Sequence, residues 1–250
     1  GAAMLAFENV TKTFGEYTAV DDVSLEVPAG QTTALIGSSG CGKSTLMRML
    51  VGLETPDRGT VSVHGIAVQP SSLSEIRSRI GYVIQEGGLF PHFTARENVA
   101  LAVQPHGWSE DRIEERLKTL VDLTHFPYEG LDRFPGELSG GQRQRVSLMR
   151  GLLADPEALL MDEPFGALDP MVRFELQREF RDIVRSTNKT ALIVTHDLAE
   201  AGYLGDEVAL MDKGRIMQKG PFRELVDAPA SGFVKRFIEA QRSPLDEVAS

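Results

Sequence analysis

The chain has 250 residues, 42% of them hydrophobic, which is enough apolar surface to bury the core of one large domain. Its formal net charge of -10 opposes binding to nucleic-acid phosphates, and no Lys- or Arg-rich stripe offsets it, so we expect no nucleic-acid partner. The single Cys excludes an internal disulfide, and no apolar run approaches the roughly 20 residues that span a bilayer.

The first part of the chain predicts strands around one Gly-rich loop. "LAFENV" and "VSLEV" alternate apolar and polar residues and predict two strands of an antiparallel layer. "TTALIG" predicts a buried strand that runs into "GSSGCGKST", and "STLMRMLVGL" predicts the helix that follows this loop. "GTVSVHG" and "RIGYVIQ" predict two further strands, the second of which ends at Gln85.

The pattern then changes to helices, "TARENVALAV" and "SEDRIEERLKTLVDL", so we expect residues 87–150 to form approximately a helical subdomain inserted into an α/β core. The core resumes with a helix, "SGGQRQRVSLMRGLLA", a strand, "ALLMDE", a helix, "DPMVRFELQREFRDIVRS", and a strand, "TALIVTH". This alternation predicts a parallel sheet with its chemistry at the carboxyl ends of the strands. A hairpin is predicted around Lys213 and Gly214, and a terminal helix over residues 231–242.

The predicted fold class is therefore α/β, with one domain over residues 4–240. Residues 1–3 are interpreted as an expression remnant, and residues 241–250 as a C-terminal tail.

Residues 37–44 match the motif G-x-x-x-x-G-K-[ST] between a predicted strand and a predicted helix, which aims several backbone N–H groups at one anion. Lys43 offers a positive charge to the outer phosphates of a nucleotide, and the Ser44 hydroxyl can hold Mg²⁺. Cys41 is either a reactive thiolate or a small residue that contributes only its N–H. The predicted phosphate-binding residues are Gly37, Ser38, Ser39, Gly40, Cys41, Gly42, Lys43, Ser44 and Thr45.

Two adjacent carboxylates, Asp162 and Glu163, end the strand "ALLMDE". At the carboxyl end of a parallel strand, Asp162 can orient the hydration shell of Mg²⁺, and Glu163 can polarise a water molecule that attacks the γ-phosphate. The loop and this pair predict a phosphate-hydrolysing enzyme.

A second anion site is predicted where "ELSGGQRQRV" opens a helix. Together with the phosphate loop and "LLMDEP", "LSGGQ" resembles the ATPase subunit of an ATP-binding cassette transporter, and the resemblance extends from Met4 to about Pro221. It implies a P-loop NTPase core with a parallel sheet, an N-terminal antiparallel layer and an inserted helical subdomain. It also implies a head-to-tail dimer, in which "LSGGQ" of one copy closes over the ATP of the other. The residues that would do so are Ser139, Gly140, Gly141 and Gln142.

The resemblance assigns roles to four further positions. Phe14, or the nearby Tyr17, would stack on adenine. Gln85 would touch Mg²⁺ and the water molecule, and Asp169 in "GALDP" would contact the other copy. His196 in "VTHD" would reach the γ-phosphate.

"IGYVIQEGGLFPHFTARENVAL" is similar to the ATPases of quaternary-amine importers, which take up glycine betaine, choline and related osmoprotectants, although Glu86 and Gly87 depart from their pattern. This resemblance implies a peripheral protein at the cytoplasmic face of the membrane, bound to permease subunits and serving a solute-binding protein indirectly. Leu89, Phe90 and Phe93 either receive a helix of the permease or are buried at the domain joint. The alternatives are a transporter of an amino acid, a polyamine or another solute, and a soluble cassette ATPase without a transport role.

Overall fold

The computed structural model describes residues 2–38, 40, 42–84, 88–242 and 248–249. The chain forms two compact units, the first comprising Gly1–Pro70 with Leu192–Ser250 and the second Ser71–Ala191. The strands are β1 (Ala3–Phe14), β2 (Tyr17–Pro28), β3 (Thr32–Gly37), β4 (Arg58–Val63), β5 (Ile66–Ala67), β6 (Ile80–Ile84), β7 (Ala158–Asp162), β8 (Thr190–Thr195), β9 (Glu207–Asp212) and β10 (Arg215–Gly220). The α-helices are α1 (Lys43–Leu50), α2 (Leu73–Arg79), α3 (Ala95–Ala100), α4 (Glu110–Leu123), α5 (Gly140–Leu152), α6 (Pro170–Ser186), α7 (Leu198–Leu204), α8 (Phe222–Asp227) and α9 (Gly232–Gln241).

The first unit contains an antiparallel sheet in the order β2-β1-β4-β5, which confirms the predicted N-terminal layer and adds β4 and β5 to it. Its alternation is visible in β2, where Val23, Leu25 and Val27 are buried while Ser24 and Glu26 are exposed. One face of this strand therefore packs on the core and the other meets solvent.

The first unit also contains strands in the order β10-β9-β3-β8, with β3 parallel to β9 and β9 antiparallel to β10. Every residue of β3 is buried, as expected for a central strand without alternation. The predicted hairpin at Lys213 and Gly214 is confirmed, since these residues join β9 to β10. Helices α7, α8 and α9 contribute Leu198, Ala201, Leu225, Val234 and Ile238 to the same apolar cluster as β3 and β9.

In the second unit, β6 and β7 are parallel, with Ile84 opposite Asp162 at their carboxyl ends. Helix α5 lies unusually close to β6, because a Cβ added to Gly81 would stand 2.1 Å from the carbonyl oxygen of Gly151. Only a residue without a side chain allows this approach of one backbone to another. Between β6 and β7 the described residues hold helices and short 3₁₀ turns but no strand.

A buried lysine, Lys189, lies near the C-terminal end of the second unit. The Lys189 side chain is 7% exposed, and its Nζ lies 2.8 Å from Oδ1 of Asp155 and also donates to the carbonyl oxygen of Pro156. The hydrogen bond from Lys189 and its charge hold the pKa of Asp155 below the usual value.

The structure contains short elements that the sequence did not predict, namely β5, α2, α7 and α8. Each has at most seven residues, too few for the periodicity of apolar positions to register. Ala3 already belongs to β1 and Gln241 still belongs to α9. The bounds of residues 4–240 and 87–150 stay predictions. Within the described ranges, no helix combines the length and apolarity needed to cross a bilayer.

Candidate functional site

The phosphate-loop lysine is buried in the first unit. Lys43, the first residue of α1, is 6% exposed. Its Nζ donates to the carbonyl oxygen of Gly37, at the end of β3, and lies 3.2 Å from that of Thr195, at the end of β8. The ammonium group is thus held between two strand ends by main-chain acceptors, an arrangement that a buried cation requires.

The turn before Lys43 depends on glycine. Gly40 and Gly42 have φ of 77° and 97°, in the left-handed region that side chains disfavour. A Cβ on Gly42 would also lie 2.2 Å from the carbonyl oxygen of Ala19 in β2, whereas one on Gly40 would meet nothing within 4 Å. Of these two glycines, Gly42 is the one constrained both by its φ and by the backbone beside it.

The end of the β1–β2 hairpin presents both candidate aromatic residues. Phe14 and Tyr17 are opposite each other across the two strands and are 44% and 53% exposed. The Tyr17 hydroxyl donates to the carbonyl oxygen of Gly40, which ties the hairpin to the phosphate loop. Lys12 Nζ lies 5.2 Å from the centroid of the Phe14 ring.

The residue that holds this hairpin end is Asp57, which the sequence analysis did not identify. Its Oδ2 accepts hydrogen bonds from the Thr13 N–H at 2.8 Å and from the Thr13 hydroxyl at 3.1 Å. These bonds, with the charge of Lys12, lower the pKa of Asp57. Asp57 therefore positions the residue that immediately precedes Phe14.

His196 directly follows β8 and is exposed. Its carbonyl oxygen accepts a hydrogen bond of 3.1 Å from Gln241 Nε2, and Asp197 after it accepts from the Glu200 N–H as the N-cap of α7. His196 thus stands in the first unit with Gly37, Lys43 and Thr195.

In the second unit, Asp162 ends β7 and Glu163 follows with φ of 47°, a left-handed conformation that is uncommon for a glutamate. The chain turns at once, with the Gly166 N–H 3.4 Å from the Glu163 carbonyl oxygen. Phe165 anchors the turn, because its ring meets that of Phe180 edge-on at 6.1 Å. Strain of this kind is typical of functional positions.

The "LSGGQ" segment is the N-terminus of α5 in the second unit. Ser139 is its N-cap: Ser139 Oγ accepts from the Gln142 N–H at 3.1 Å, and Gln142 Oε1 accepts from the Ser139 N–H at 3.2 Å. This capping box leaves the N–H groups of Gly140 and Gly141 at the positive end of the helix. The geometry suits an anion.

A cavity of about 250 Å³ lies between the start of α5 and the turn after Glu163. Gln144 faces it, is 4% exposed, and its Nε2 has no hydrogen-bond partner among the described residues. Asp169, at the end of the turn, caps α6 by accepting from the N–H groups of Met171 and Val172.

The far end of α5 holds the segment after Gln85. Arg150 Nη1 donates to the carbonyl oxygen of Gly88 at 3.1 Å, and burial lowers the pKa of Arg150. Three predicted site residues, Ser39, Cys41 and Gln85, lie outside the described residues.

The structure assigns the predicted residues to the two units as follows. The first unit holds Phe14, Gly37, Ser38, Gly40, Gly42, Lys43, Ser44, Thr45 and His196. The second unit holds Ser139, Gly140, Gly141, Gln142, Asp162, Glu163 and Asp169. No cluster of three or more His, Cys, Asp and Glu side chains occurs among the residues that the structure describes. A Mg²⁺ ion that is held largely by phosphate oxygens does not need such a cluster, and Ser44 in the first unit and Asp162 in the second each carry an oxygen of the kind that Mg²⁺ prefers.

Comparison with protein families matches residues 20–166 to the ABC transporter family. The chain belongs to this family. It is 44% identical over 240 residues to the carnitine transport ATP-binding protein OpuCA of Listeria monocytogenes, covering 96% of this chain and 60% of that protein. The chain therefore spans about 60% of the length of that curated relative.

Two other relatives have similar identity. The glycine betaine uptake system ATP-binding protein YehX of Escherichia coli is 42% identical, over 94% of this chain and 76% of that protein. The sulfate/thiosulfate import ATP-binding protein CysA of Synechocystis is 44% identical, over 94% of this chain and 65% of that protein.

Among solved structures, the dimeric structure of MJ0796, a bacterial ABC transporter cassette, matches with a TM-score of 0.79 and 30% identity. The match covers 88% of this chain and 99% of that one. The fold is that of an ABC ATPase cassette, which confirms the predicted fold class.

The two loop glycines provide a matched test of the constraint on Gly42. We expect Gly40→Ala to lower the free energy of unfolding by about 1–2 kcal/mol, because only its φ is unfavourable. We expect Gly42→Ala to lower it by about 3–4 kcal/mol, because its Cβ also meets the Ala19 carbonyl. Urea denaturation monitored by circular dichroism measures both losses. Equal losses would contradict the close approach at Gly42.

Proposed function

We propose that this chain binds and hydrolyses MgATP in a head-to-tail dimer and thereby drives uptake of glycine betaine, choline or a related osmoprotectant. The observation that carries the proposal is the buried Lys43 ammonium, held at the ends of β3 and β8 in a Gly-rich loop of an ABC transporter cassette. A cation in this position, at the end of a Gly-rich loop that opens a helix, is suited to the phosphates of a nucleotide.

Each group has a separate task in hydrolysis. Lys43 draws the outer phosphates into the loop and stabilises the charge that develops on them. Ser44, Asp162 and the Gln85 side chain are the groups that would hold Mg²⁺, and the chemistry it would supply is positive charge against the phosphates. Glu163 accepts a proton from the attacking water molecule, and His196 donates a hydrogen bond to the γ-phosphate.

Dimerisation supplies the donors that one copy lacks. The N–H groups of Gly140 and Gly141, at the capped start of α5, would meet the γ-phosphate of the nucleotide bound by the other copy. The dimeric form named for MJ0796 supports this arrangement, and Asp169 would contact the other copy. Closure of the dimer on two ATP molecules favours one state of the transporter, and hydrolysis reopens it.

The surface proposed for the permease is the aromatic segment after Gln85. Phe90 is 48% exposed, and its ring lies 5.6 Å from that of Phe93. Buried Asn98 holds the segment, since its Oδ1 accepts from the Phe90 N–H and its Nδ2 lies 3.1 Å from the carbonyl oxygens of both residues. An exposed Phe90 backed by the half-buried Phe93 suits a helix of the membrane subunit, which would keep the chain at the cytoplasmic face of the membrane.

Two observations support the assignment of an osmoprotectant as cargo. The chain is similar to the carnitine transport protein OpuCA and the glycine betaine uptake protein YehX, and it contains the string "YVIQEGGLFPH". A sulfate or thiosulfate cargo is the second candidate, because CysA has the same 44% identity as OpuCA.

Removing the proposed base separates binding from hydrolysis. We expect Glu163→Gln to keep MgATP affinity within about twofold and to lower kcat by about 100-fold or more, because only the water molecule needs the carboxylate. ATP would then hold this variant as a dimer in gel filtration. The exposed Glu175→Gln on α6 is the control and should stay fully active. A Glu163→Gln variant that remains monomeric with MgATP would contradict the shared site.

Substitutions can decide whether Phe14 or Tyr17 stacks on adenine. Stacking on an aromatic ring contributes about 1–3 kcal/mol, so we expect Phe14→Ala to raise the Kd for ATP by about 5- to 150-fold. Tyr17→Phe keeps the ring and removes only the hydrogen bond to Gly40, and we expect a change below about threefold. Fluorescence titration with a labelled ATP analogue measures both. The opposite result, with Tyr17→Ala more damaging than Phe14→Ala, would assign adenine to Tyr17.

The cargo is tested by osmotically stimulated uptake of labelled glycine betaine and choline, in cells with the chain, without it, and with Glu163→Gln. We expect uptake to be lost in the last two, because import requires hydrolysis. Unchanged uptake would exclude the osmoprotectant cargo while leaving the ATPase assignment to the dimer experiment. Labelled sulfate in the same cells tests the second candidate.

A further inference from the structure

The C-terminal helix of the first unit reaches the loop of His196 through one amide side chain. Gln241, the last residue of α9, donates from Nε2 to the His196 carbonyl oxygen at 3.1 Å. Its Oε1 accepts from the Leu198 N–H at 3.3 Å. One planar amide thus bridges both sides of the turn from β8 into α7, a pairing that we call the α9 clamp.

The position of Gln241 follows from the anchoring of α9. Val234 and Ile238 are buried, and Gln241 occupies the next place on the same helical stripe. Both apolar residues share a core cluster with Leu198 and with Ile36 of β3. The body of the helix is therefore held by packing, which delivers the amide of Gln241 to the turn.

Other contacts hold the residues around His196. The Asp197 N–H donates to Thr195 Oγ1 at 3.1 Å, and Asp197 Oδ1 accepts from the Glu200 N–H at 3.2 Å. These bonds are local to β8 and α7. The α9 clamp differs from them because it ties the His196 carbonyl to an element 45 residues further along the chain.

We propose that Gln241 is a positioning residue that holds His196 in the orientation needed at the γ-phosphate. The proposal rests on the hydrolytic role given above to His196. A rotation of the His196 peptide would swing the imidazole, and the amide of Gln241 opposes this rotation by binding the carbonyl on one side and the Leu198 N–H on the other. Both His196 and Gln241 are exposed, so the hydrogen bonds add little to the stability of the whole domain and the variants should fold.

The chain contains a matched control for this clamp. Gln218 in β10 bridges a turn in the same way, with Nε2 3.1 Å from the Ala228 carbonyl oxygen and Oε1 2.8 Å from the Ala230 N. That turn joins α8 to α9 and bears none of the proposed site residues. Loss of the Gln218 bridge would loosen the approach to α9 and leave the His196 turn intact.

The experiment compares Gln241→Met with Gln218→Met in the full chain, since methionine retains the length of the side chain and removes both hydrogen bonds. Steady-state ATP hydrolysis gives kcat and KM, and thermal unfolding checks that each variant folds. We expect Gln241→Met to lower kcat by about 10-fold with KM within about twofold, because misplacement of a catalytic group slows the reaction step. We expect Gln218→Met to retain the parent values.

A second measurement does not depend on activity. Amide hydrogen exchange should become faster at Leu198 in Gln241→Met and stay unchanged there in Gln218→Met, whereas Ala230 should show the reverse. In a His196→Ala background, adding Gln241→Met should cause no further loss of kcat, because both changes act through the same imidazole.

Three results would overturn the proposal. The first is an unchanged kcat in Gln241→Met despite faster exchange at Leu198. The second is an equal loss in Gln241→Met and Gln218→Met, which would indicate general loosening of α9. The third is a loss that adds in full to that of His196→Ala. Failure of the ATPase assignment itself is distinguishable, because the parent chain would then show no hydrolysis before any variant is compared.

Discussion

A lysine ammonium that is only 6% exposed must find acceptors inside the fold, and Lys43 finds them at the ends of β3 and β8. Its ammonium group contacts the last residue of each strand, and α1 begins at Lys43 itself. The loop can make these contacts only by turning through two left-handed residues, one of them against the backbone of β2. The conformation of the phosphate loop therefore depends on the antiparallel layer, because Gly42 turns directly against the backbone of β2.

The second unit concentrates its constraints around Glu163. The residue adopts a left-handed backbone conformation, and the packing of Phe165 on Phe180 secures the turn behind it. A cavity adjoins the turn, lined by the amide of Gln144, whose Nε2 finds no hydrogen-bond partner in the described part of the chain. A strained residue persists only where the surrounding structure holds it, and the packing of Phe165 on Phe180 does so here.

Local patterns made much of this predictable. The phosphate loop, the start of α5 at Ser139 and the end of β7 at Asp162 are each encoded within ten residues, so spacing and capping preferences suffice. The contacts of Asp57 with Thr13 and of Gln241 with His196 join residues 44 and 45 positions apart. No periodicity marks such partners, because an exposed Asp or Gln reads as a surface residue until the fold brings its acceptor or donor to it. Phe14 and Tyr17 stay alternatives for a different reason: they are opposite each other on the hairpin and both are exposed.

Helix α5 has 13 residues and is therefore about 20 Å long. Its first turn presents the Gly140 and Gly141 N–H groups, and its last turn contains Arg150, bound to the Gly88 carbonyl. A regular helix of this length bends little, and the contact of Gly151 with Gly81 leaves no room for the helix to approach β6. The first turn of α5 is packed as closely as its last, since a Cβ on Gly141 would stand 2.7 Å from Val172 Cγ1 of α6. Because the helix is fixed near both ends, the separation between the Gly88 carbonyl contact and the N–H groups of Gly140 and Gly141 is set by the length of one regular helix.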